Sequence, residues 1–536
     1  MSRKFLCIMV SALAAVTFSG CGGGGGGGSA GTGPGNISQP PSSSWLQFTP
    51  SALELTAYEG RPLEFSVTAR SSKTIAQAFN VGVVESTGLI STKVDLQKIS
   101  DLEYQVTLRT ADKLAAGTYK SKLEVRLCVD TPTTCAQPIE GSPWSLPISV
   151  TVKPATNLTA LSEIPALGPW SIVGGNAARA NYAPVRLDPS KFSQRWNHNF
   201  PGEVRPSEVL YANGIAFVVT DDVVNSYLTA IEESTGRVLW RMGDRWARWS
   251  GLSLSGDKVY VVDHSPEAGG HAILAAYDQK TGKSLFSTVL ERIDSFNKTL
   301  IVNGAIFLHG PIGPSGTSTT TYHVSKLDAN TGVLLNRTTM ELSHSQSLVA
   351  DGQYLYALVS TGKLAVMRQS TLEVVSDATE STYCSYGRQN VLGGAGMIVD
   401  QCPGRLTAYD TVARRKAWEL AGDYNTTVAV AGGTVYVVNA GMLEARALAD
   451  GKLLWSTALK SATGTVILNG YVLATDNLVF IDGGQSTLAV DTTSHQIVWN
   501  FPQGGMMSLS SKGVLYLTQS IPGSGQAGNV VAINLQ

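Results

Sequence analysis

Apolar and polar residues alternate with a period of two along much of the chain. In "LEFSVTAR", "YQVTLRT", "YKSKLEVRLCV" and "WSLPISVTV" apolar and polar residues alternate with period two, the pattern of a strand with one buried face. Turn sequences such as "YEGRP" and "AAGTY" separate these runs. Several short strands in residues 45–153 predict a β-sandwich. From residue 169 the alternation becomes a repeat. An apolar strand ends in a turn ("LYANG", "LIVNG", "LVADG"), a Tyr- or Val-rich strand follows ("VYVV", "YLYALV"), then a strand marked by Ala, a turn such as "STG" or "NTG", and a strand bearing Trp. The Ala recurs at 230, 276, 365, 408, 445, 489 and 532, and Lys326 takes its place once. The mean spacing of roughly 43 residues is that of four-stranded propeller blades. Long amphipathic helical patterns are scarce, so the fold is expected to be all-β.

The last repeat lacks its Trp strand: "NVVAINLQ" reaches Ala532 and the sequence stops at Gln536. A ring of blades closes or leaves unpaired edges. "KFSQRWNHNF", far upstream and carrying Trp196, supplies the strand that "AINLQ" lacks. Residues 169–536 are therefore expected to form an eight-bladed propeller closed by a strand at about 190–200. "KPATNLTALSEIPALGP", with Pro at each end, is expected to provide a linker over 154–168.

The repeat resembles the PQQ-like propeller repeat, whose docking motif is A-x-D-x-x-x-G-x-x-x-W. Ala230, Glu232, Gly236 and Trp240 follow it, as do Ala408, Asp410 and Trp418, Ala445, Gly451 and Trp455, and Ala489, Asp491 and Trp499. "WSIVGGNAARANY" is similar to the segment that leads into such propellers. The motif makes physical sense as packing: an indole brings a large apolar area and one N–H that needs a partner. Ala leaves it room, and Gly permits the preceding tight turn. Trp196, Trp240, Trp418, Trp455 and Trp499 are thus structural docking residues. Phe286, Asn336 and Val375 stand where Trp is expected, and those seams are expected to be looser. The sandwich resembles the immunoglobulin-like domains of bacterial surface and periplasmic proteins, which implies a spacer or adhesion module.

"MSRKFLCIMVSALAAVTFSGC" has a basic start, a short apolar run and small residues before Cys21, the form of an export signal over residues 1–20. "FSGC" resembles the lipobox of bacterial lipoproteins, which implies acylation of Cys21; an ordinary secretory signal that happens to contain a Cys is the alternative. The Gly-rich stretch over 21–44 cannot bury apolar surface, and a flexible coil of about 23 residues reaches roughly 25 Å. Gly22 after the Cys favours, by resemblance to Gram-negative lipoproteins, the outer membrane. Beyond Cys7 and Cys21 four cysteines remain, an even number that suggests disulfides in an exported protein. Cys128 and Cys135 flank a turn and form one expected pair; Cys384 and Cys402 form the other. No C-x-x-C is present, and no His stands at ligand spacing near these cysteines, so no metal is expected.

Charged residues are only 15% of the chain and the net charge is −1, which does not suit a nucleic-acid backbone. Fold alone does not give function. Quinoprotein dehydrogenases, one resemblance, hold PQQ over the ring centre and carry a vicinal disulfide; this chain has no adjacent Cys pair. The other is the propeller lipoprotein of the outer-membrane β-barrel assembly machine, which is non-enzymatic and binds partners through loops. The expectation is a monomeric scaffold without catalytic residues or cofactor. It is held at the outer membrane by its lipid alone, on the periplasmic side, and binds a protein of the cell envelope. A PQQ-dependent oxidoreductase, or a surface adhesion or glycan-binding protein, is the alternative. His264 and His271 share one loop, more simply solvated than metal-binding. In a four-stranded blade the second-to-third loop and the connector to the next blade lie at the same end. "TDDVVNSY", "DHSPEAGGH", "HGPIGPSGTSTTTY" and "SIPGSGQAGN" are such loops, and the connector "MGDRWARWSG" emerges among them. Trp246, Arg248 and Trp249 are therefore the expected partner anchors, since binding hot spots favour aromatic and Arg side chains. The alternative is that these Trp residues pack between blades.

Overall fold

A computed structural model describes residues 45–536 apart from 93, 204–205, 223, 245–248, 265–271, 291–298, 313–320, 341–347, 359–362, 380–388, 460–469 and 520–527. The expectations for the leader, for Cys21 and for the Gly-rich tether lie outside the described residues. The chain divides into two units, one reaching Pro154 and one beginning at Ala155.

The first unit holds β1 (Leu46–Thr49), β2 (Leu53–Tyr58), β3 (Glu64–Ser71), β4 (Asn80–Val84), β5 (Asp95–Ser100), β6 (Glu103–Arg109), β7 (Gly117–Cys128) and β8 (Trp144–Lys153). They form two sheets ordered β1-β3-β6-β5 and β2-β8-β7-β4. Their alternating apolar residues share one core, with Phe65 and Leu108 from the first sheet meeting Leu123 and Ile148 from the second. This is the sandwich arrangement of two sheets packed face to face. Cys128 and Cys135 are joined, with Cα atoms 5.3 Å apart. Their bond staples the turn after β7.

In the second unit, β9 (Ser193–Phe200) precedes a series of four-stranded antiparallel sheets. Counted with the sheet that β9 completes, there are eight among the described residues of 193–534. They are blade 1 (210–244), blade 2 (249–290), blade 3 (300–340), blade 4 (349–379), blade 5 (389–421), blade 6 (429–458), blade 7 (472–501) and blade 8 (506–534 with β9). This is a β-propeller. Blade 8 is built from both ends of the domain: β9 pairs with Gly528–Asn534, and Ala532 faces Trp196. The segment from residue 155 is fastened to this blade rather than loose. The Ile164 N–H donates to the Ser511 carbonyl at 2.8 Å, and the Asn534 side chain donates to the Asn157 carbonyl at 2.9 Å.

The seams show what the docking motif does. Trp196 of blade 8 donates from Nε1 to the Glu233 carbonyl of blade 1 at 2.8 Å. Trp240 donates to the Gln279 carbonyl at 2.9 Å and Trp418 to the Leu448 carbonyl at 2.8 Å. Each indole lies over the turn of the following blade. Gly236 has φ +74°, and a Cβ there would meet Trp196 Cγ at 2.7 Å. The motif glycine therefore makes room for the neighbour's indole as well as allowing the turn. His495 takes the glycine position in blade 7, where Trp455 stacks on it at 4.5 Å. Phe192 takes it in blade 8, edge-on to Trp499 at 5.3 Å. Two seams lack an aromatic ring. At blade 3 the Asn336 amide donates to the Thr371 carbonyl at 2.6 Å, keeping the donor of an indole without its area. At blade 4 the sequence spacing had put Val375 at the Trp position, but the structure puts Ser376 there, opposite Val366. Leu372, at φ +57°, occupies the turn position that Gly holds elsewhere. The counted spacing had started from Ala365, one residue too early.

Candidate partner-binding face

The propeller centre is organised by residues 170–187. Backbone N–H groups of Tyr211, Leu254, Ala350, Leu392, Val430 and Ala474 donate to carbonyls of Trp170, Ser171, Ala177, Ala178, Ala180 and Asn181 at 2.8–2.9 Å. These donors sit on the first strands of blades 1, 2, 4, 5, 6 and 7, close to the turn into the second strand. Inner strands expose one unpaired edge to the channel, and this segment pairs with it at that end of the ring. The glycine pair in "WSIVGGN" is needed here. Gly174 has φ +84° and Gly175 φ +97°, and a Cβ on Gly175 would meet the Trp170 ring at 3.2 Å.

Two charged groups are buried with the segment. The Arg179 guanidinium, 2% exposed, donates to the carbonyls of Leu348 at 3.0 Å, Val173 at 2.9 Å and Thr299 at 3.1 Å. Burial pulls its pKa down to about 10, opposed by the charge of Glu208. The Glu208 carboxylate accepts from Trp170 Nε1 at 2.6 Å and from the Gly174 N–H at 3.1 Å. The sequence pointed to neither residue, because Leu348 and Thr299 for Arg179, and Trp170 and Gly174 for Glu208, are brought to it from distant parts of the chain.

The opposite end of the ring carries the second-to-third hairpins and the connectors between blades. In blade 1 the hairpin is locked by its own polar residues. Asp222 accepts from Tyr227 Oη at 2.7 Å and from the Asn225 N–H at 2.8 Å. The Asn225 and Tyr227 side chains hold its carboxyl far below the usual carboxylate range. The Asp221–Asp222 pair therefore serves as a polar turn. Arg241 stacks over the Tyr227 ring at 3.8 Å and pairs with Glu203, whose carboxylate also accepts from Thr220. Such a pair, 8% exposed on the Glu203 side, is strongly held only because further hydrogen bonds satisfy it. Gly243 faces Tyr227 across the strands, and a side chain there would overlap the ring.

Trp249 opens the first strand of blade 2. It is half-buried, and its N–H donates to Ser226 Oγ at 3.2 Å, which sets it beside the blade 1 hairpin. Trp246 and Arg248 lie outside the described residues, as do Cys384 and most of the long loops. Cys402 is disulfide-bonded. His264 Nε2 lies 2.9 Å from Ser250 Oγ, and His271 lies outside the described residues. Sequence reasoning missed Tyr227, Arg241 and Glu203; the only signal was an aromatic and an Arg on adjacent strands, with Gly243 opposite the aromatic. The face thus offers a Trp, a guanidinium on an aromatic ring and a pinned hairpin. This is chemistry for holding another surface. Among the described residues no group of three or more His, Cys, Asp or Glu side chains is placed to hold a metal ion.

The family described as outer membrane protein assembly factor BamB matches residues 224–382 and 323–536. No curated protein matches the chain. Among solved structures, a europium-containing methanol dehydrogenase shares 11% identity with a TM-score of 0.53, over 69% of this chain and 98% of that one. The quinohemoprotein alcohol dehydrogenase from Comamonas testosteroni shares 13% identity with a TM-score of 0.53, over 68% of this chain and 80% of that one. BamB from Moraxella catarrhalis shares 13% identity with a TM-score of 0.46, over 64% and 98%. The two dehydrogenases are similar in fold.

Proposed function

As the chain belongs to the family described as outer membrane protein assembly factor BamB, we propose that it is a non-catalytic scaffold of the cell envelope, acting in outer-membrane protein assembly. In this reading Cys21 carries the lipid that holds the protein at the periplasmic side of the outer membrane, and the Gly-rich tether and the sandwich act as spacer. The propeller binds a protein partner through Trp246, Arg248 and Trp249. One observation carries the choice of face. The two charged groups buried with residues 170–187 are spent on the chain itself, Arg179 on three carbonyls and Glu208 on Trp170 and Gly174. Of the proposed anchors, Trp249 stands beside the blade 1 hairpin. No helix among the described residues is long and apolar enough to cross a membrane.

The test is Trp246→Ala with Trp249→Ala, read by thermal melting and by capture of an outer-membrane assembly component from cells. Lost capture with unchanged melting supports the reading. A large fall in melting temperature, or intact capture, returns these residues to packing between blades. Stoichiometric uptake of PQQ with calcium-dependent alcohol oxidation by the purified chain overturns the scaffold reading in favour of an oxidoreductase.

A further inference from the structure

The inner face of the sandwich is well buried at one end and open at the other. At the closed end Phe65, Leu108, Ile148 and Val150 are at most 4% exposed. Strand register carries the same inward rows onward. Val67 and Ala69 face Val106 and Tyr104, and Leu96 and Lys98 face the same two residues from β5. On the other sheet Val81 faces Leu127. At this end Phe48, Phe79, Leu96, Tyr104, Val106 and Val125 point inward yet remain only half-buried. They line a cavity of about 660 Å³ between the sheets, within the range of small-molecule sites. Sandwich cores normally interdigitate across about 10 Å, so apolar rows left half-wet mark a place built for something apolar.

The rim carries two ammonium groups, Lys73 and Lys98, with Asp101 beside them. Lys98 continues the inward row of β5, and Lys73 sits over the Trp45 ring at 4.7 Å. Each ammonium has a carboxylate partner, Asp101 at 2.7 Å and Glu140 at 2.8 Å, but those side chains are 82% and 78% exposed. Pairs with such exposed carboxylates are weak and leave the ammonium groups able to accept a further anion.

We propose that this cavity binds a free long-chain carboxylic acid, with its alkyl chain between the sheets and its carboxylate at Lys98 and Lys73. The site is confined to the first unit and is independent of the propeller's partner face. The test uses the full chain carrying Cys21→Ser, so that no acyl group on the chain itself can fill the cavity. The probes are a fluorescent polyunsaturated C18 acid and its methyl ester. The expected result is saturable one-to-one binding of the acid, with the ester at least tenfold weaker. Ala69→Trp, which puts an indole between Phe48 and Tyr104, abolishes binding of both with the melting of the sandwich unchanged. Should Ala69→Trp unfold, Leu96→Trp on the edge strand β5 makes the same test. Lys98→Glu weakens the acid and spares the ester. No saturable binding, equal binding by the filled variants, or no preference for the acid overturns the proposal. Flotation of the chain with bare phosphatidylcholine vesicles, lost in Ala69→Trp, overturns it in favour of membrane lipid.

Discussion

Trp196→Ala removes the indole that closes the ring. The side chain is 4% exposed, its ring lies 5.8 Å from that of Tyr516, and it rests on Gly236. Truncating a buried Trp to Ala costs ~3–5 kcal/mol, and here the Glu233 carbonyl also loses one of its two donors. That carbonyl still accepts from Arg195 Nε at 2.8 Å, so the hydrogen-bond share is held to ~1 kcal/mol. Trp196→Phe keeps a ring over the glycine, as Phe286 of blade 2 does over Gly332 of blade 3, and should cost about 1–3 kcal/mol, between the lost bond and a partial cavity. Asn336→Ala, at a seam with no ring, should cost about 0.5–1.5 kcal/mol. Urea unfolding followed by far-ultraviolet circular dichroism orders the three, with the propeller transition analysed separately from that of the sandwich. If Trp196→Ala costs no more than Asn336→Ala, the closing seam is not held by its indole and the reasoning fails.

Asp482 is buried, which pushes its carboxyl up to about 6, although Gly484 and Gly505 N–H groups donate to Oδ1 at 2.7 and 2.9 Å. Between the unfolded value near 3.8 and about 6 the folded state holds the extra proton, so this group's contribution to stability falls as pH rises through that window. Asp482→Asn keeps the Oδ1 acceptor; it should flatten that slope and stabilise the chain at pH 8 by up to ~3 kcal/mol. An unchanged pH profile of unfolding counts against the burial argument. Gly451→Ala forces a Cβ to 2.9 Å from Trp418 at φ +72°, whereas Gly432, at φ +54°, has nothing within 4 Å. Gly432→Ala should cost about 1–2 kcal/mol for the left-handed backbone alone, and Gly451→Ala measurably more; equal costs in denaturant titration would remove the steric role of the motif glycine. Cys21→Ser should move the protein from the membrane to the soluble periplasmic fraction on cell fractionation, and unchanged membrane association contradicts the anchor.

The repeat was legible because a buried indole, a small residue across from it and a tight turn must recur wherever one blade packs on the next. Blade 4 was misread by one residue because Leu372 adopts the positive φ that the pattern assigns to Gly. Residues 170–187 were recognised only by resemblance. Their function is carried by backbone hydrogen bonds to six blades, which leave no periodic mark in side chains. Arg179 and Glu208 stayed hidden because most of their partners come from distant parts of the chain. Of the expected partner anchors, Trp249 is placed beside the blade 1 hairpin, but Tyr227 and Arg241 come together through the pairing of two strands, which spacing along one strand does not reveal. The sandwich cavity was likewise invisible: alternation marks which residues face inward, not whether the facing sheet reaches them.

The central claim is that the hairpin end of the propeller holds a protein of the outer-membrane assembly apparatus. Its most direct measurement is photo-cross-linking in living cells from a reactive amino acid placed at position 249, with position 454 on the exposed outer strand of blade 6 as the control. A cross-link to an outer-membrane assembly component from 249 and none from 454 is the predicted result; no such product from 249, or the same product from both positions, contradicts the account.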